Sequence, residues 1–531
     1  MNKKSFYFGG LLLAALVLGS CANDDTATDE RAGKDTPKTG TVFSSETEPA
    51  TRTSAKYTGS GLDFYWTASD KIWVKDDNGN YNQSASDDIS SRIAAVPGST
   101  TTDKAKFWVN GSYTGTTHKV RYTGKSGSKN KVTIKASQTQ TIPNDAAHIA
   151  DDGDFGVADA TGSGSYNFTL NHKAAYVTFM PYNTQGKIGG VIQKIRISTS
   201  NPSDHLAGTF DLADDGTLSN PTGTSNSVEL NLSNFSIPQV STYTKNAATM
   251  VVKPGTYNNV TIEYTLHDAA TNVSGTIKRT YSSVTFDAGK NTPVRADLDI
   301  KVYPANDYFE WDAQQHYWAG YEWGGTNPTQ TVLNGESNAT DAPQSTNSVS
   351  AHGLRDFNDG NSSSHSAVNT FNTNEAFWYA KEGDPHWEDI LWATMGHLYK
   401  GGMWIKKQSI IARDKGKTIQ QLKDEAPDGN NYTTNSLLYK SSDYGVTIPE
   451  GRPVNINEYF FLPTLGAYFL GALDALGDTG FFWGSESQVS ATGATNLRVN
   501  KNFILASNIL GSRACGFKIF HSSTEDEYRP F

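Results

Sequence analysis

From about Thr53 to Ile300 the chain is a succession of short segments in which apolar and polar residues alternate, each closed by a turn, with no long helical period among them. Period-two patterning puts successive side chains on opposite faces of an extended backbone, and a run of such segments has to pair into sheets. "DKIWVKDD" puts Ile72 and Val74 on one face and Trp73 on the other. It runs into Asp76-Asp77-Asn78-Gly79-Asn80-Tyr81, whose Asn-Gly marks a hairpin turn. "KVTIKAS" alternates over Val132 and Ile134, and "AAYVTFMPY", "IQKIRIS", "VELNL", "NVTIEYTL" and "SVTFDAG" continue the theme. Strands spaced about 10–25 residues apart predict antiparallel sandwiches, and about 250 residues is large for one. Two in tandem are expected, with a seam near residues 165–190.

Beyond Lys301 the composition shifts. Tryptophan falls at 66, 73 and 108 in the first 300 residues, then at 311, 318, 323, 378, 387, 392, 404 and 483, which marks a different domain. A polar Asn/Ser/Thr-rich stretch from about Thr326 to Thr370 reads as a long loop or insertion. Two short helices are expected. "EDILWATMGHLY" places Ile390 or Leu391, Met395 and Leu398 on one side, and "TIQQLKDEA" runs from Thr418 to Ala426. The rest reads as strand and turn. Trp378, Trp404 and Trp483 sit in apolar strand-like runs and are expected in the core.

The front end carries an export signal. Lys3 and Lys4 precede an apolar run from about Phe6 to Leu18, which as a helix reaches only about 20 Å, too short to span a bilayer comfortably. Leu18-Gly19-Ser20-Cys21 resembles a bacterial lipobox, which implies cleavage before Cys21 and lipidation of its thiol. Several acyl chains on one residue anchor stably where one would be marginal. Residues 22 to about 50, rich in Thr, Asp, Lys and Pro, read as a tether. "GTVFSS", Gly40 to Ser45, is a candidate strand inside it. With Cys21 committed to lipid, Cys515 in "ACGFKIF" is the remaining cysteine of the 531 residues, so neither an internal disulfide nor a cysteine metal site is expected. Cys515 reads as a buried, inert thiol. A formal net charge of −10 argues against a nucleic-acid partner, which calls for a basic stripe.

Three stretches of the first region resemble the fimbrillin superfamily, subunits of type V pili and related surface lipoproteins. One is "ATRTSAKYTGSGLDFYWTASDKIWVKDDNG", with Arg-Thr shortly before a Trp-x-x-x-Asp-x-Ile-x-Val strand. The second is "SYNFTLNHKAAYVTFMPY". The third is "VTFDAGKNTPVRADLDI", a strand, a Gly turn and a last alternating strand. Together they cover roughly 250 residues, in the range of two sandwich domains. The C-terminal region, through "NTNEAFWYAKEGDPHWED", "YKGGMWIKKQSII", "YFFLPTLGAYFLGALDALGDTGFFWGSE" and "ACGFKIF", resembles C-type-lectin-like domains appended to fimbrillin-like tip proteins. The resemblance implies a mainly β chain: a signal peptide at 1–20, a tether with a removable first strand at 21–52, transthyretin-like β-sandwiches at 53–175 and 176–302, and an α+β lectin-like domain at 303–531. It also implies export as a lipoprotein, a cut by an Arg-specific protease between Arg52 and Thr53 (Arg31 being the alternative), and loss of the first strand with its lipid. A strand from another subunit then fills the opened groove, satisfying an unpaired sheet edge and an open core slot. The chain's last residues read as a core strand rather than a donor, so a fimbrial tip subunit is expected, presenting an adhesin at the outer membrane or on the fimbrium. Its partners would be other subunits, the membrane before cleavage, and a host or microbial surface ligand. The alternatives are a non-polymerising surface lipoprotein that binds glycans, and a stalk subunit whose tail does donate.

"GDPHWED" groups Asp384, His386, Trp387 and Glu388, which could bind Ca²⁺ or a sugar stacked on Trp387. A calcium site needs six to eight oxygens from several segments. The Glu-Pro-Asn, Gln-Pro-Asp and Trp-Asn-Asp runs of sugar-binding C-type lectins are not present, so a turn capping the following helix is the simpler expectation. "ADDGDFG" reads as a solvated hairpin, and His172 as a satisfied core or interface histidine. No cofactor, metal or catalytic activity is expected: there is no Gly-x-Ser-x-Gly, His-Glu-x-x-His or phosphate loop. The lectin-like outline is shared with formylglycine-generating enzymes, but their chemistry depends on paired cysteines that Cys515 alone cannot supply.

Overall fold

A computed structural model describes residues 38–45, 54–343, 353–487 and 493–530. The signal, Cys21, Arg31, Arg52 and Thr53 lie outside them. The described chain is mainly β and is organised around three successive cores.

In the first module the strands pair in the order Ser165–Asn167, Thr41–Ser45, Ala105–Val109, Tyr81–Asp87, Trp73–Lys75, Thr117–Tyr122 and Gly156–Ser163. Ser165–Asn167 then turns back onto Gly156–Ser163, so among the described residues seven strands close into a ring. An antiparallel sandwich was the expectation. The hairpin at Gly164 folds the last strand over to meet the first one in parallel, and closure leaves no edge in the ring. Ile72 and Val74 point into the core and are fully buried, while Trp73 is half-buried on the other face, as the alternation requires. Trp66, Phe107, Tyr122, Tyr166 and Phe168 fill the remainder.

The second module packs a five-stranded sheet against a three-stranded one. The larger runs Ser137–Gln140, Ser227–Ser236, Val191–Thr199, Gly255–Asp268, Val273–Phe286. The smaller runs Ala248–Val252, Ala175–Tyr182, Asn291–Asp297. Ile195, Ile197, Leu230, Ile262, Val177 and Phe179 share one core between them. Lys131–Ile134 and Ser137–Gln140 also join sheets of this module, so the chain enters the second core before returning to finish the first. "ADDGDFG" is not a solvated hairpin. It forms the short helix Ile149–Asp152 and a buried turn, because Asp154, fully buried, accepts from Tyr176 Oη and meets His172 Nδ1 at 2.8 Å. His172 stacks on Phe64 with centroids 4.0 Å apart; it is a core histidine as expected but only half satisfied, since its buried Nε2 has no hydrogen-bond partner among the described residues. Asp214 from this module receives Tyr81 Oη at 2.7 Å and Lys75 Nζ at 3.0 Å, and pairs with Arg121. All three donors lie on the ring.

The third module has a main sheet ordered Tyr308–Phe309, Phe517–Ile519, Thr479–Ser487, Ala494–Asn500, Phe503–Ser507, Leu438–Lys440. The helix Thr373–Glu382 packs against Phe482, Leu497 and Ile504 on one face of it. This helix begins with a capping box between Asn372 and Glu375, and Trp378 belongs to it rather than to a strand. Trp404 and Trp483 are fully buried in strands, as expected. The helix expected over residues 388–399 is instead a hairpin, Leu391–Thr394 against His397–Lys400. Its two-residue turn, Met395-Gly396, has positive φ at both positions (48° and 79°), the geometry that matches strand twist. Hence "GDPHWED" caps no following helix; its Gly383 instead ends the preceding one, Thr373–Glu382. The hairpin couples modules: Leu398 enters the second core, and Asp268 accepts from Leu398 N at 3.0 Å. The helix Ile419–Asp424 forms as expected, capped by Thr418. Cys515 is half-buried rather than fully buried as expected, and desolvation pushes its thiol up to about 12.

Candidate functional site

The first strand, Thr41–Ser45, is held from both sides. Val42, Phe43 and Ser44 pair in parallel with Ser165, Tyr166 and Asn167, and all five residues pair antiparallel with Ala105–Val109. Thr-Val-Phe is a β-favouring run, and the small Ser44 and Ser45 fit where the strand is almost covered. Phe43 is the anchor. It is fully buried, stacked on Tyr166 with centroids 5.0 Å apart and planes 14° apart, and met edge-on by Tyr113 at 5.1 Å. Tyr166 is itself fixed, its hydroxyl donating to the carbonyls of Tyr113 and Gly115 at 2.9 and 2.8 Å. Burying one phenylalanine contributes about 1.5–3 kcal/mol. At the entry, Gly40 has φ +120°, and a Cβ there would stand 2.9 Å from Val109 O, so the approach needs glycine. Lys38 Nζ donates to Asp87 O at 2.7 Å and lies 4.5 Å over the Trp108 ring.

This strand touches the ring on both flanks, yet its sequence link to the next described strand, Ser54–Tyr57, is the eight-residue stretch 46–53, which contains Arg52. A single cut there leaves it held by non-covalent contacts. The opposite end of the molecule is built differently. Phe517–Ile519 lies inside the main sheet, antiparallel to Tyr308–Phe309 and parallel to Thr479–Ser487. Beyond it Tyr528 Oη donates to Ile519 O at 2.7 Å, and Arg529 Nη2 to Ile456 O at 2.6 Å.

The "GDPHWED" residues do not converge. Asp384 accepts from Tyr459 Oη at 2.6 Å and sits 3.7 Å from His386 Nε2 and 3.8 Å from Lys406 Nζ. It lines an open pocket of about 400 Å³ with Lys406, Asp414, Lys415 and Pro449, a wall of balanced charge. Trp387 is 5% exposed, packed against Gly401, and donates to Asp389 at 2.7 Å, so its ring face is not offered to a sugar. Glu388 turns away to Arg452, at 3.0 and 3.1 Å, and to Trp404 Nε1 at 2.8 Å. Among the described residues no three His, Cys, Asp or Glu side chains gather to hold a metal ion.

No family model matches the chain, and no curated protein matches it. Solved structures similar to it include a Bacteroides ovatus protein named for cell adhesion, at 13% identity over 44% of this chain and 84% of that one, TM-score 0.28. A Bacteroides uniformis protein named likewise shows 13% identity over 48% and 93%, TM-score 0.27. A fimbrial assembly protein of Parabacteroides distasonis shows 10% identity over 48% and 88%, TM-score 0.22.

Proposed function

We propose that this chain is a fimbrillin-like surface subunit that accepts a strand from a neighbouring subunit and presents its third module as an adhesin at a fibre tip. In this reading the chain is exported with lipid on Cys21, and a protease cuts after Arg52. Thr41–Ser45 leaves, and an incoming strand takes its place between Ala105–Val109 and Ser165–Asn167. The observation that carries the reading is the position of Thr41–Ser45: it completes a closed ring from both flanks, beside a link that holds an arginine. Loss of the strand uncovers two backbone edges and the Phe43 slot together, which is what a donor strand supplies. The rest of the ring keeps its own tie to the second module through Asp214. The engagement of Phe517–Ile519 and Arg529 supports the tip role, since those residues are not free to be donated.

The test is the start of the mature protein on the cell surface. Mass or N-terminal sequencing should find Thr53, and a mature chain beginning at acylated Cys21 would contradict the reading. That second outcome belongs to a static surface lipoprotein, which full burial of Phe43 and a ring already closed also favour.

A further inference from the structure

Arginines in the described chain are mostly engaged. Arg92 pairs with Asp88, Arg121 with Asp214, Arg196 with Glu263 and Arg452 with Glu388, while Arg513 gives Nε and Nη1 to backbone carbonyls and keeps its remaining Nη2 buried, out of a ligand's reach. Arg498 differs. It lies mid-sheet on Ala494–Asn500, opposite Phe481, half-buried, with no described carboxylate in ion-pairing reach. Its guanidinium carbon stands 5.3 Å from the Phe481 ring centre and 5.9 Å from that of Phe517. Nε donates to Asn496 Oδ1 at 2.9 Å, which is its one hydrogen bond to the described protein.

Asn496 cannot turn that contact around. It is fully buried, and its Nδ2 donates to the carbonyls of Ala494 at 3.0 Å, Ser507 at 3.3 Å and Leu510. With Nδ2 spent there, Oδ1 has to face Arg498, which orients the guanidinium and leaves both Nη groups unused. The loop reaches this close because residue 511 is glycine: a Cβ there would stand 2.8 Å from Asn496 Nδ2 and 3.5 Å from Arg498 Nη2. An oriented, aromatic-flanked guanidinium with two parallel N–H groups matches a carboxylate in a forked contact, and partial burial strengthens the pair.

The geometry points to a carboxylate-binding site at Arg498, and the ligand that fits is a sugar acid at the end of a glycan. The inference rests on reading this module as the presented adhesin, which supplies the glycan surface. An extended acidic peptide fits less well, because Ala494–Asn500 is paired on both sides and offers no edge. Gly511, on which a Cβ would stand 3.5 Å from Nη2, is flanked in sequence by exposed Leu510 and Ser512, an apolar group and a hydroxyl suited to the mixed faces of a single sugar ring.

The test uses the full mature chain against immobilised glycoconjugates ending in N-acetylneuraminate or glucuronate, with galactose-terminated conjugates as the neutral probe. The acidic conjugates should be retained and the neutral ones not. Arg498→Gln should weaken retention by about tenfold or more, and Arg498→Lys, which keeps the charge but loses the fork, should weaken it several-fold. Melting curves check that both variants fold, and the Lys variant carries the test if the Gln variant does not. Equal retention of acidic and neutral probes, no retention of either, unchanged binding by the variants, or capture of an acidic peptide in place of the sugar would each overturn the inference. Assembly is not needed for this assay, so a chain that binds acidic sugar but never enters a fibre refutes the subunit reading and leaves the Arg498 site standing.

Discussion

Two short strands occupy the same kind of position at opposite ends of the molecule. Thr41–Ser45 lies between one parallel and one antiparallel neighbour, and so does Phe517–Ile519. Their attachments differ. The first strand is held by one aromatic key, and its flank toward the ring passes through a single stretch that contains Arg52. The last strand has Phe517 stacked on Trp483 at 4.2 Å, Lys518 fully buried against Asp307 and Pro304 O, and Phe520 in the core behind it. The first strand has the longer ladders, so backbone pairing does not set the difference in attachment. On the proposed reading, a replaceable strand would differ from a fixed one in how many side chains on and beyond it are keyed into the core.

The largest expected effect lies at the fixed end. Phe517→Ala removes a fully buried ring, and the third module should lose about 3–5 kcal/mol in denaturant unfolding. A loss under about 1 kcal/mol would erase the contrast, since large core truncations rarely cost so little. Phe43→Ala should act more locally. Its loss of about 1.5–3 kcal/mol of burial is bounded by the docking energy of the strand, which departs and leaves the ring standing. Hydrogen exchange should speed up on Ala105–Val109 and Ser165–Asn167, with the third module's transition unmoved. Gly40→Ala puts a Cβ 2.9 Å from Val109 O at a positive φ, so it should weaken docking of the first strand by about 1–2 kcal/mol on the same exchange readout.

A pH dependence is also expected in the third module. Burial raises the carboxyls of Glu486 and Glu525 from an ordinary 4.5 to about 7. Protons bound more tightly in the folded state stabilise it, so this contribution is complete below about 4.5 and fades as pH rises through about 7. The third module's melting temperature should drift down between pH 5 and pH 8. A rise over that interval would contradict the assignment.

Much of this was legible in the residues. Alternation placed Ile72 and Val74 on one face, and the apolar setting of His172 announced a core histidine, though not its unpaired Nε2. "TIQQLKDEA" read as a helix, and Thr418 caps it. Ring closure was not legible, because it depends on a parallel pairing between residues 42–44 and 165–167 that no local pattern encodes. The hairpin Leu391–Lys400 was misread because Leu391, Met395 and Leu398 fall at helical spacing while tertiary burial of the whole segment selects strand. The helix Thr373–Glu382 was hidden by its aromatic run, although Asn372-x-x-Glu375 is a capping-box pattern that could have revealed it. Arg498 was not singled out either. Its relation to Asn496, two positions back on the same strand face, becomes visible once both neighbouring strands are in place.

The central claim is that the first strand can be replaced while the rest stays folded, and a strand-exchange measurement addresses it directly. The full chain is cut after Arg52 and given an excess of a fluorescent peptide spanning Lys38 to Glu46. Native mass spectrometry and circular dichroism are then followed over time. The account predicts that the labelled peptide displaces the original strand with no change in the fold of the remainder, and that a Phe43→Ala peptide fails to do so. Exchange that occurs only under conditions that unfold the whole first module, or that proceeds equally well without the aromatic ring, would contradict it.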